Sequence, residues 1–441
     1  MMLSKYINKI YISKNIYAVF NNFIMKPVFI NKEKMIYLYN NKFDCFLPNE
    51  LEILKNAGII VKSKMIDTEI INILKNTYKS RIENKITIMY IIPINSCNLS
   101  CKYCFIGKMN DKIIKMTFET AKKAVDLFQK HLIEINEKGS IFFYGGEPLM
   151  NFNLIKKIVD YVSLNKYNID FSMVSNGLLL NDSKAKYIKE NKISLGISID
   201  GPKKITDSNR VYKNSDFGVY DDLVKKIKLL QKNNVDFGLS ITVAPIFLKN
   251  KKEFIKWLKE LNVKNISYNL LHFTYETKEW RKYYNDAVNF IYYSNNELFE
   301  FGFNEDRINR KYKSFYNREF KFSDCGAVGA NQLTICPDGN LEVCHGYWNL
   351  KNKEIGNIND FNSFDELFIN KHFCEWKKYL PIFKNKCLKC SAIYICGGGC
   401  AMQSKDLFGD SLKIDKAFCI YSKKMLKNIL IEEYQKIIKN N

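Results

Sequence analysis

Three cysteines lie within eight residues of the chain, in the sequence CNLSCKYC. Cys97, Cys101 and Cys104 follow the spacing C-x3-C-x2-C. A zinc site normally takes four Cys or His ligands, and within thirty residues the only further candidate is His131, which we expect on a helix surface. A cubane iron–sulfur cluster has four iron corners, so three thiolates leave one iron open to a small molecule. The triplet therefore favours a 4Fe–4S cluster over zinc.

The triplet directly follows an apolar strand, TIMYIIPI, which opens a regular alternation of strands and amphipathic helices. The helices are predicted at 117–132, 151–165, 181–191, 219–234, 250–261 and 277–302. Such alternation predicts βαβ units and a parallel sheet. Six right-handed repeats would curl into a partial (β/α)6 barrel of TIM type, in an α/β fold class. The cysteines would then lie at the C-terminal face of the barrel, where barrel active sites are found.

Two regions of different pattern flank the alternating strands and helices. Residues 1–85 combine short apolar runs, IYAVF and KPVFIN, with two helical stretches, the second with Asp67 as a plausible N-cap. Residues 311–441 are rich in Cys and Gly, with a hairpin turn at Pro337-Asp338-Gly339. We therefore expect three domains: a small α+β module (1–85), the barrel (86–310) and a Cys-rich domain (311–441) that is organised around metal.

Composition narrows the function class. The 441 residues carry a net charge of +22, but the Lys residues are dispersed and alternate with Asp and Glu, which makes nucleic acid an unlikely partner. No apolar run is long enough for a transmembrane helix or a secretory signal, so we expect a cytoplasmic protein with no membrane partner. In that compartment, 13 cysteines are better explained by metal binding or catalysis than by disulfides.

The C-x3-C-x2-C motif with Tyr103 before its last Cys resembles the signature of radical S-adenosylmethionine (SAM) enzymes. The resemblance implies that Cys97, Cys101 and Cys104 hold the catalytic 4Fe–4S cluster and that the open iron binds SAM. One electron from the cluster would then cleave SAM to a 5′-deoxyadenosyl radical, which abstracts a hydrogen atom. An external one-electron reductant of the flavodoxin or ferredoxin type is implied as well.

Polar and glycine residues at the following strand ends agree with this family. The segment YGGEP resembles the family's GGE motif, which holds the SAM amino group, and Glu147 supplies a carboxylate there. Further polar residues end the third and fourth strands, and an Arg follows that suits the SAM carboxylate. The SAM-binding residues implied are Tyr103, Gly145, Gly146, Glu147, Ser175, Asn176, Ser198, Asp200 and Arg210.

A second cysteine block resembles the seven-cysteine SPASM extension of radical SAM enzymes, which binds two auxiliary 4Fe–4S clusters. The resemblance implies three clusters in all. It assigns the first auxiliary cluster to Cys325, Cys344 and Cys400, and the second to Cys387, Cys390, Cys396 and Cys419. The first set lacks a fourth ligand. Either Cys336 supplies it, or that iron is open. Zinc is the alternative for the C-x2-C pair, and Cys45 and Cys374 fit no ligand pattern.

SPASM enzymes mostly modify peptides or proteins, which leaves two readings of the substrate. The first is a ribosomally made precursor peptide that receives a thioether or carbon–carbon side-chain crosslink. The second is a sulfatase, whose Cys or Ser is oxidised to formylglycine. Sulfatase-maturing enzymes carry an Asp base after the Cys of the G-x4-C element, whereas this chain has His345.

The module at 1–85 also weakly resembles PqqD-like leader-peptide recognition domains, although it could be a plain structural cap. A colourless, non-catalytic zinc or nucleic-acid-binding protein is the alternative of another class. That alternative leaves the motifs at the strand ends unexplained.

Overall fold

In the computed structural model, residues 1–104, 112–273, 277–347, 355–410 and 412–440 are described. The strands are β1 (Met2–Leu3), β2 (Ile7–Ser13), β3 (Ile16–Asn21), β4 (Val28–Asn31), β5 (Ile60–Val61), β6 (Ile88–Ile91), β7 (Gly139–Phe143), β8 (Ile169–Ser175), β9 (Ser194–Ser198), β10 (Phe237–Thr242), β11 (Asn265–Asn269), β12 (Asn304–Glu305), β13 (Gln332–Ile335) and β14 (Leu341–Glu342).

Thirteen helices in the described ranges have at least seven residues. They are α1 (Lys32–Tyr39), α2 (Pro48–Asn56), α3 (Lys64–Arg81), α4 (Phe118–Ile135), α5 (Phe152–Leu164), α6 (Asp182–Glu190), α7 (Lys203–Asn209), α8 (Tyr220–Lys232), α9 (Lys251–Leu261), α10 (Lys278–Phe299), α11 (Asp306–Tyr316), α12 (Ala401–Phe408) and α13 (Lys416–Asn440). Helices of four or five residues lie at Gly326–Gly329, Asp365–Ile369, Lys371–Glu375, Asn385–Leu388 and Ile393–Cys396. No helix in the described ranges has the length and apolar character needed to cross a membrane.

The chain divides into two compact units. The first comprises Met1–Glu83, Ile308–Gly329 and Lys378–Asn441, and the second comprises Asn84–Arg307 and Ala330–Lys377. Each unit is discontinuous in sequence, so the N-terminal module and most of the C-terminal cysteines belong to the same unit.

The second unit is built on a sheet in which nine described strands take the order β12-β11-β10-β9-β8-β7-β6-β13-β14. From β6 to β12 neighbouring strands are parallel, and helices α4 to α10 connect them. The α/β class with a parallel sheet is thus confirmed. Six of these helices begin and end within three residues of the predicted ones, because their apolar residues recur at helical spacing, whereas α7 was not predicted. In α4, for example, Ala121, Val125, Phe128 and Leu132 are buried.

The sheet extends beyond the six predicted strands. β13 pairs in parallel with β6, from Gln332 opposite Ile88 to Ile335 opposite Ile91. β14 then returns antiparallel through the predicted turn, where Gly339 has a φ of +84°. Part of the Cys-rich region is therefore a strand of the barrel sheet.

The first unit contains the N-terminal module, in which β2, β3 and β4 form an antiparallel sheet and β1 pairs with β5. The apolar runs IYAVF and KPVFIN lie on β3 and β4, which pair antiparallel. The expected N-cap role of Asp67 is wrong, because α3 begins at Lys64 with Ser63 as its N-cap. Asp67 is instead buried and accepts hydrogen bonds from Ser4 Oγ at 2.5 Å and Lys5 N at 2.9 Å.

The N-terminal module packs against the C-terminal cysteine region of the same unit. Tyr6, Phe23 and Ile71 form a buried cluster with Ile393, against which Cys387 is packed. Asn22 Nδ2 also donates to the carbonyl oxygen of Leu388 at 3.2 Å. The module thus stabilises the segment that carries four of the seven extension cysteines.

The expectation that His131 lies on a helix surface is wrong, and the residue is 2% exposed. Its Nε2 accepts a hydrogen bond from the backbone N–H of Ile86 at 3.1 Å, and its ring packs against Phe364 and Phe368. Burial lowers the pKa of His131 to about 4. It is therefore a neutral core residue that positions the start of the first barrel strand, not a metal ligand.

We predict that His131 makes the stability of the second unit depend on pH. Its pKa in the folded state lies below the value of roughly 6.5 in the unfolded chain, so its contribution is complete above pH ~6.5 and is lost as the pH falls toward 4. The loss has a limit of about 1.4 kcal/mol per pH unit. His131→Gln keeps an acceptor for Ile86 but does not titrate. Denaturant unfolding between pH 7 and pH 4.5 should therefore show that the free energy of unfolding falls more for the wild type than for His131→Gln. The same pH dependence in both proteins would contradict the prediction.

Candidate active site and cysteine clusters

The predicted active-site cysteines lie on the loop that follows β6, and backbone hydrogen bonds attach this loop to the segment after α7. Ser100 N donates to Val211 O at 2.9 Å, and Lys102 N donates to Asn209 O at 2.9 Å. In the opposite direction, Lys213 N donates to Asn98 O at 3.0 Å. The loop is therefore held as a short two-stranded ribbon at the C-terminal ends of the barrel strands.

The three thiols are half-buried, free of disulfides and close enough to influence one another. Burial, with smaller contributions from the charges of Glu147, Cys101 and Cys104, raises the pKa of Cys97 to about 12. Burial likewise raises the pKa of Cys101 to about 11, although Arg210 opposes the shift. Because metal ligation requires thiolates, binding iron here would release protons.

Side chains next to the loop contact its sulfur atoms. The Asn176 side-chain nitrogen lies 3.8 Å from Cys97 Sγ and donates to Asn98 Oδ1 at 2.8 Å. Arg210 Nη1 lies 4.0 Å from Cys101 Sγ. These donors suit a group of thiolates, and the three-thiol set fits an iron–sulfur cluster. Within the described residues, no three Cys, His, Asp or Glu side chains meet in the arrangement of a bound metal ion, so the ligand set stays a prediction.

Asp200, at the end of β9, joins two of the predicted SAM-binding residues. It is 0% exposed, and its two oxygens lie 2.7 and 2.8 Å from Tyr103 Oη, whose single O–H donates to this carboxylate. Arg210 Nη2 forms an ion pair with Asp200 at 3.0 Å, and its guanidinium lies 5.5 Å from the Tyr103 ring centroid. Burial, with the Asp200 carboxylate, raises the pKa of Tyr103, so the phenol remains a donor.

Arg210 retains one donor that the described residues do not use. Its Nε is buried and has no hydrogen-bond partner in the described part of the chain. A buried guanidinium N–H without an acceptor is costly, and it lies on the same side chain that approaches Cys101. This orphaned donor fits an anionic group of a ligand beside the cysteine loop.

Glu147 connects the loops that follow β7 and β8. It is 1% exposed and accepts hydrogen bonds from Ser175 Oγ at 2.7 Å, Asn176 N at 2.8 Å and Leu149 N at 3.0 Å. Burial raises its pKa, whereas these three donors oppose the shift. An ionised carboxylate accepts at about four sites, so one remains beyond these contacts. Ser198, the last residue of β9, is half-buried.

The two glycines of the GGE motif allow close contact between backbones. A Cβ at Gly146 would lie 2.1 Å from the carbonyl oxygen of Ser96, and one at Gly145 would lie 2.5 Å from Ile92 Cγ2. Gly145 also has a φ of +123°, which disfavours other residues. Both glycines thus allow the cysteine loop to approach closely, and their predicted contact with SAM stays a prediction.

His345 and Cys336, whose roles the sequence leaves open, both lie in the second unit next to this site. His345 stacks on Tyr90 of β6 with ring centroids 4.4 Å apart and contacts Tyr144 edge-on at 4.9 Å. Burial lowers the pKa of His345 to about 4. Cys336 is 3% exposed and packs with Ile92, against which Cys104 and Tyr144 also lie.

The four cysteines of the predicted second auxiliary cluster lie together in the first unit. A small cavity is lined by Cys387, Cys396 and Cys419 with Gly398 and Gly399. Burial is the main cause that raises the pKa of Cys419 to about 12, and the charges of the other three cysteines of this set add to it. All-thiol donors around one cavity fit a 4Fe–4S cluster, although zinc shares this donor set.

The predicted first auxiliary set is divided between the units. Cys325 and Cys400 belong to the first unit. Burial, with the charges of Asp415 and Cys325, raises the pKa of Cys400 to about 12. Cys344 belongs to the second unit, as does Cys336. Of the unassigned cysteines, Cys45 is exposed, and the Cys374 thiol donates to the Phe368 carbonyl oxygen at 3.0 Å.

The region that contains this site matches a known protein family. Residues 91–245, which contain the cysteine loop, Glu147, Asp200 and Arg210, match the Radical SAM superfamily. The chain carries a radical SAM domain. The domain implies SAM and a 4Fe–4S cluster as cofactors.

Several relatives share this domain. The chain is 26% identical to the radical SAM cyclopropyl synthase TigE of Paramaledivibacter caminithermalis, over 98% of this chain and 96% of TigE. It is 29% identical to a cysteine-type anaerobic sulfatase-maturating enzyme of Clostridium perfringens, over 71% of this chain and 88% of that enzyme. An uncharacterised Methanocaldococcus jannaschii protein is 42% identical, but the match spans only 60% of its length and 40% of this chain.

The fold is also similar to that of Streptococcus suis SuiB, which has been solved with SAM and with its precursor peptide SuiA. In these two structures the TM-scores are 0.57 and 0.55, at 15% and 14% identity. Each alignment covers 95% of this chain, with 100% and 99% of the SuiB chain. Relatives of this radical SAM domain thus act on peptides or proteins.

We predict that Gly146→Ala disrupts the cysteine loop. The added methyl group would overlap the Ser96 backbone, which cannot rotate away as the end of a flexible side chain could. The loop must therefore shift, at a cost of about 1–3 kcal/mol. Gly196→Ala on β9 is a matched control, since its nearest neighbour would be Val174 Cγ2 at 3.5 Å, an ordinary contact. Chemical unfolding should separate the two variants, and equal stabilities would show that the loop is not held by this contact.

Proposed function

We propose that the chain is a radical SAM/SPASM maturase that crosslinks side chains in a ribosomally made precursor peptide. When bound, a 4Fe–4S cluster and SAM supply a 5′-deoxyadenosyl radical that abstracts a hydrogen atom from the peptide. The observation that carries the proposal is a radical SAM domain with three free thiols on one anchored loop, in a chain that aligns along nearly all of its length with TigE.

The described side chains have separate tasks in this proposal. Cys97, Cys101 and Cys104 would hold the catalytic cluster. The unpartnered Nε of Arg210 would donate to the SAM carboxylate, while Asp200 fixes the guanidinium and the Tyr103 ring beside it. Glu147 would use its remaining acceptor site for the SAM ammonium, and Gly145 and Gly146 keep that carboxylate next to the cysteine loop. Ser175, Asn176 and Ser198 would contribute polar groups around the ribose.

Two auxiliary 4Fe–4S clusters complete the proposal. Cys387, Cys390, Cys396 and Cys419 would hold one, as the shared cavity and mutual charge effects support. Cys325, Cys344 and Cys400 would hold the other, with Cys336 or an open iron at its fourth corner. Such a cluster could accept the electron that remains after hydrogen abstraction and bond formation. A flavodoxin- or ferredoxin-type protein would supply the first electron, and the basic net charge of +22 suits an acidic partner.

The module at 1–85 would bind the leader of the precursor. It holds a three-stranded antiparallel sheet with β2 and β4 at its edges, and an extended peptide can add a strand to such an edge. Tyr11 on β2 is 51% exposed and is available for contact with a peptide. The alignments with TigE and SuiB extend over nearly the whole chain, which supports a function shared by the whole protein.

Sulfatase maturation is the second candidate, because the Clostridium perfringens enzyme matches 71% of this chain. The residue after Cys344 argues against it. His345 lies where those enzymes have an Asp base. Its ring packs against Tyr90 and Tyr144, and it supplies no carboxylate at this position. Sulfatase maturation also leaves the N-terminal module without a function.

A product experiment separates the two candidates. The chain, reconstituted with iron and sulfide without oxygen, is incubated with SAM and a reductant. Separate reactions contain candidate precursor peptides or a Cys-containing sulfatase peptide. A crosslink removes two hydrogen atoms and joins two residues in one fragment ion, whereas formylglycine formation leaves an aldehyde that reacts with hydrazines. A joined fragment supports the peptide maturase. An aldehyde on a sulfatase peptide, with no change in the precursor, would overturn it.

We predict that Cys101→Ala abolishes SAM cleavage while leaving the fold and the auxiliary clusters intact. The substitution removes one ligand of the catalytic cluster only. The measurement is 5′-deoxyadenosine formation under reducing conditions, with bound iron counted in parallel. The exposed Cys45 offers a matched control, since Cys45→Ala should retain both iron and turnover. Deoxyadenosine formation by Cys101→Ala at the wild-type rate would refute the ligand assignment.

A further inference from the structure

A buried lysine lies beside the second group of extension cysteines. Lys311 on α11 is 1% exposed. Its ammonium donates to the carbonyl oxygen of Cys396 at 2.9 Å and forms an ion pair with Asp324 Oδ1 at 3.2 Å. It also lies 4.7 Å from the Phe418 ring centroid. Lysines are almost never buried unless they are paired, so this position calls for an explanation.

The surroundings hold the ammonium at a fixed place in a region that contains little water. Asp324 and the Cys396 carbonyl oxygen accept hydrogen bonds from the ammonium. The aromatic face of Phe418 stabilises its positive charge. A charge in such a place acts strongly on its neighbours, because the effective dielectric is lower than at the surface. Cys396 shows this effect, since burial raises its pKa and the Lys311 charge opposes the shift.

The other nearby lysines differ in exposure. Lys423, whose charge acts on Cys387, is exposed, and solvent and salt screen such a charge. Lys384 lines the cavity and is half-buried, with its ammonium 5.7 Å from the Tyr379 ring centroid. Asp415 supplies a buried negative charge at the same cavity. Among these cations, Lys311 is the one with both full burial and a direct bond to a cysteine of the set.

We infer that Lys311 tunes the cluster bound by Cys387, Cys390, Cys396 and Cys419, raising its one-electron reduction potential and positioning Cys396. This inference rests on the proposed function, which places an iron–sulfur cluster at these cysteines. A fixed positive charge stabilises the state that holds one more electron, and net charge around an iron–sulfur cluster is a main determinant of its potential. Asp324 has the opposite sign and moderates the effect. Lys311 is thus a positioning and tuning residue.

The test is a potentiometric titration of the full-length chain in which Cys97, Cys101 and Cys104 are replaced by Ala, so that only C-terminal clusters contribute to the spectrum. We expect Lys311→Met to decrease the reduced-to-oxidised ratio at a given potential about tenfold, which corresponds to a midpoint about 59 mV lower. Asp324→Asn should shift the midpoint in the opposite direction. Lys311→Arg, which keeps the charge, should restore most of the wild-type value.

A control variant and iron counting make the outcomes distinct. Lys313 lies two residues further along α11 and is exposed, so Lys313→Met should leave the midpoint unchanged. A Lys311→Met protein with full iron content and an unshifted midpoint would overturn the inference. If that variant does not retain iron, Asp324→Asn decides, and an unshifted midpoint there overturns it equally. Zinc in place of iron in the parent protein would instead refute the proposed auxiliary cluster itself.

Discussion

The attachment of the cysteine loop to the end of β9 through Asp200 is the constraint on which the candidate site depends. A fully buried carboxylate is stable only when its oxygens are satisfied, and here Tyr103 and Arg210 supply the donors. Tyr103 belongs to the cysteine loop, and Arg210 follows α7, so one carboxylate fixes two segments at once. Without this contact, the loop would be held over the barrel by its backbone hydrogen bonds and by the Asn176 side chain, which donates to Asn98 Oδ1.

The opposite side of the loop is held by backbone packing. Gly146 has no side chain, so the chain after β7 approaches Ser96 closely enough for Glu147 N to donate to Ser96 O at 2.9 Å. The Glu147 carboxylate then binds the loop after β8. Three consecutive strand ends are therefore tied to one another before any cofactor is bound. Such preorganisation lowers the cost of ordering a cofactor site, because its groups are already in place.

The fold was largely predictable from the sequence because hydrophobic periodicity decides helices and parallel strands. The helices from α4 to α10 are short-range features, and each carries its own apolar face. The pairing of β13 with β6 was not predictable, since it joins Gln332 to Ile88 across most of the chain. Asp67 and His131 were misjudged for a related reason. Their partners, Ser4 and Ile86, lie 63 and 45 residues away, and local patterns carry no signal of such contacts.

The candidate site was likewise predictable only where its residues are close in sequence. The grouping of Cys97, Cys101 and Cys104 was predictable because the three cysteines lie on one loop, whereas the Asp200–Arg210 ion pair shows only in the folded chain.

The same reasoning explains why Lys311 gave no signal in the sequence. Among 68 Lys and Arg residues, one lysine on an amphipathic helix is indistinguishable from its solvated neighbours. Only the fold shows that its ammonium is enclosed with a backbone carbonyl of the cysteine region and a counter-ion. Keeping a charge there is costly unless it is paired and hydrogen-bonded, and Asp324 and the Cys396 carbonyl oxygen supply those contacts. A protein that passes single electrons needs its electron acceptor set to a suitable potential, and a buried charge sets it with little dependence on salt.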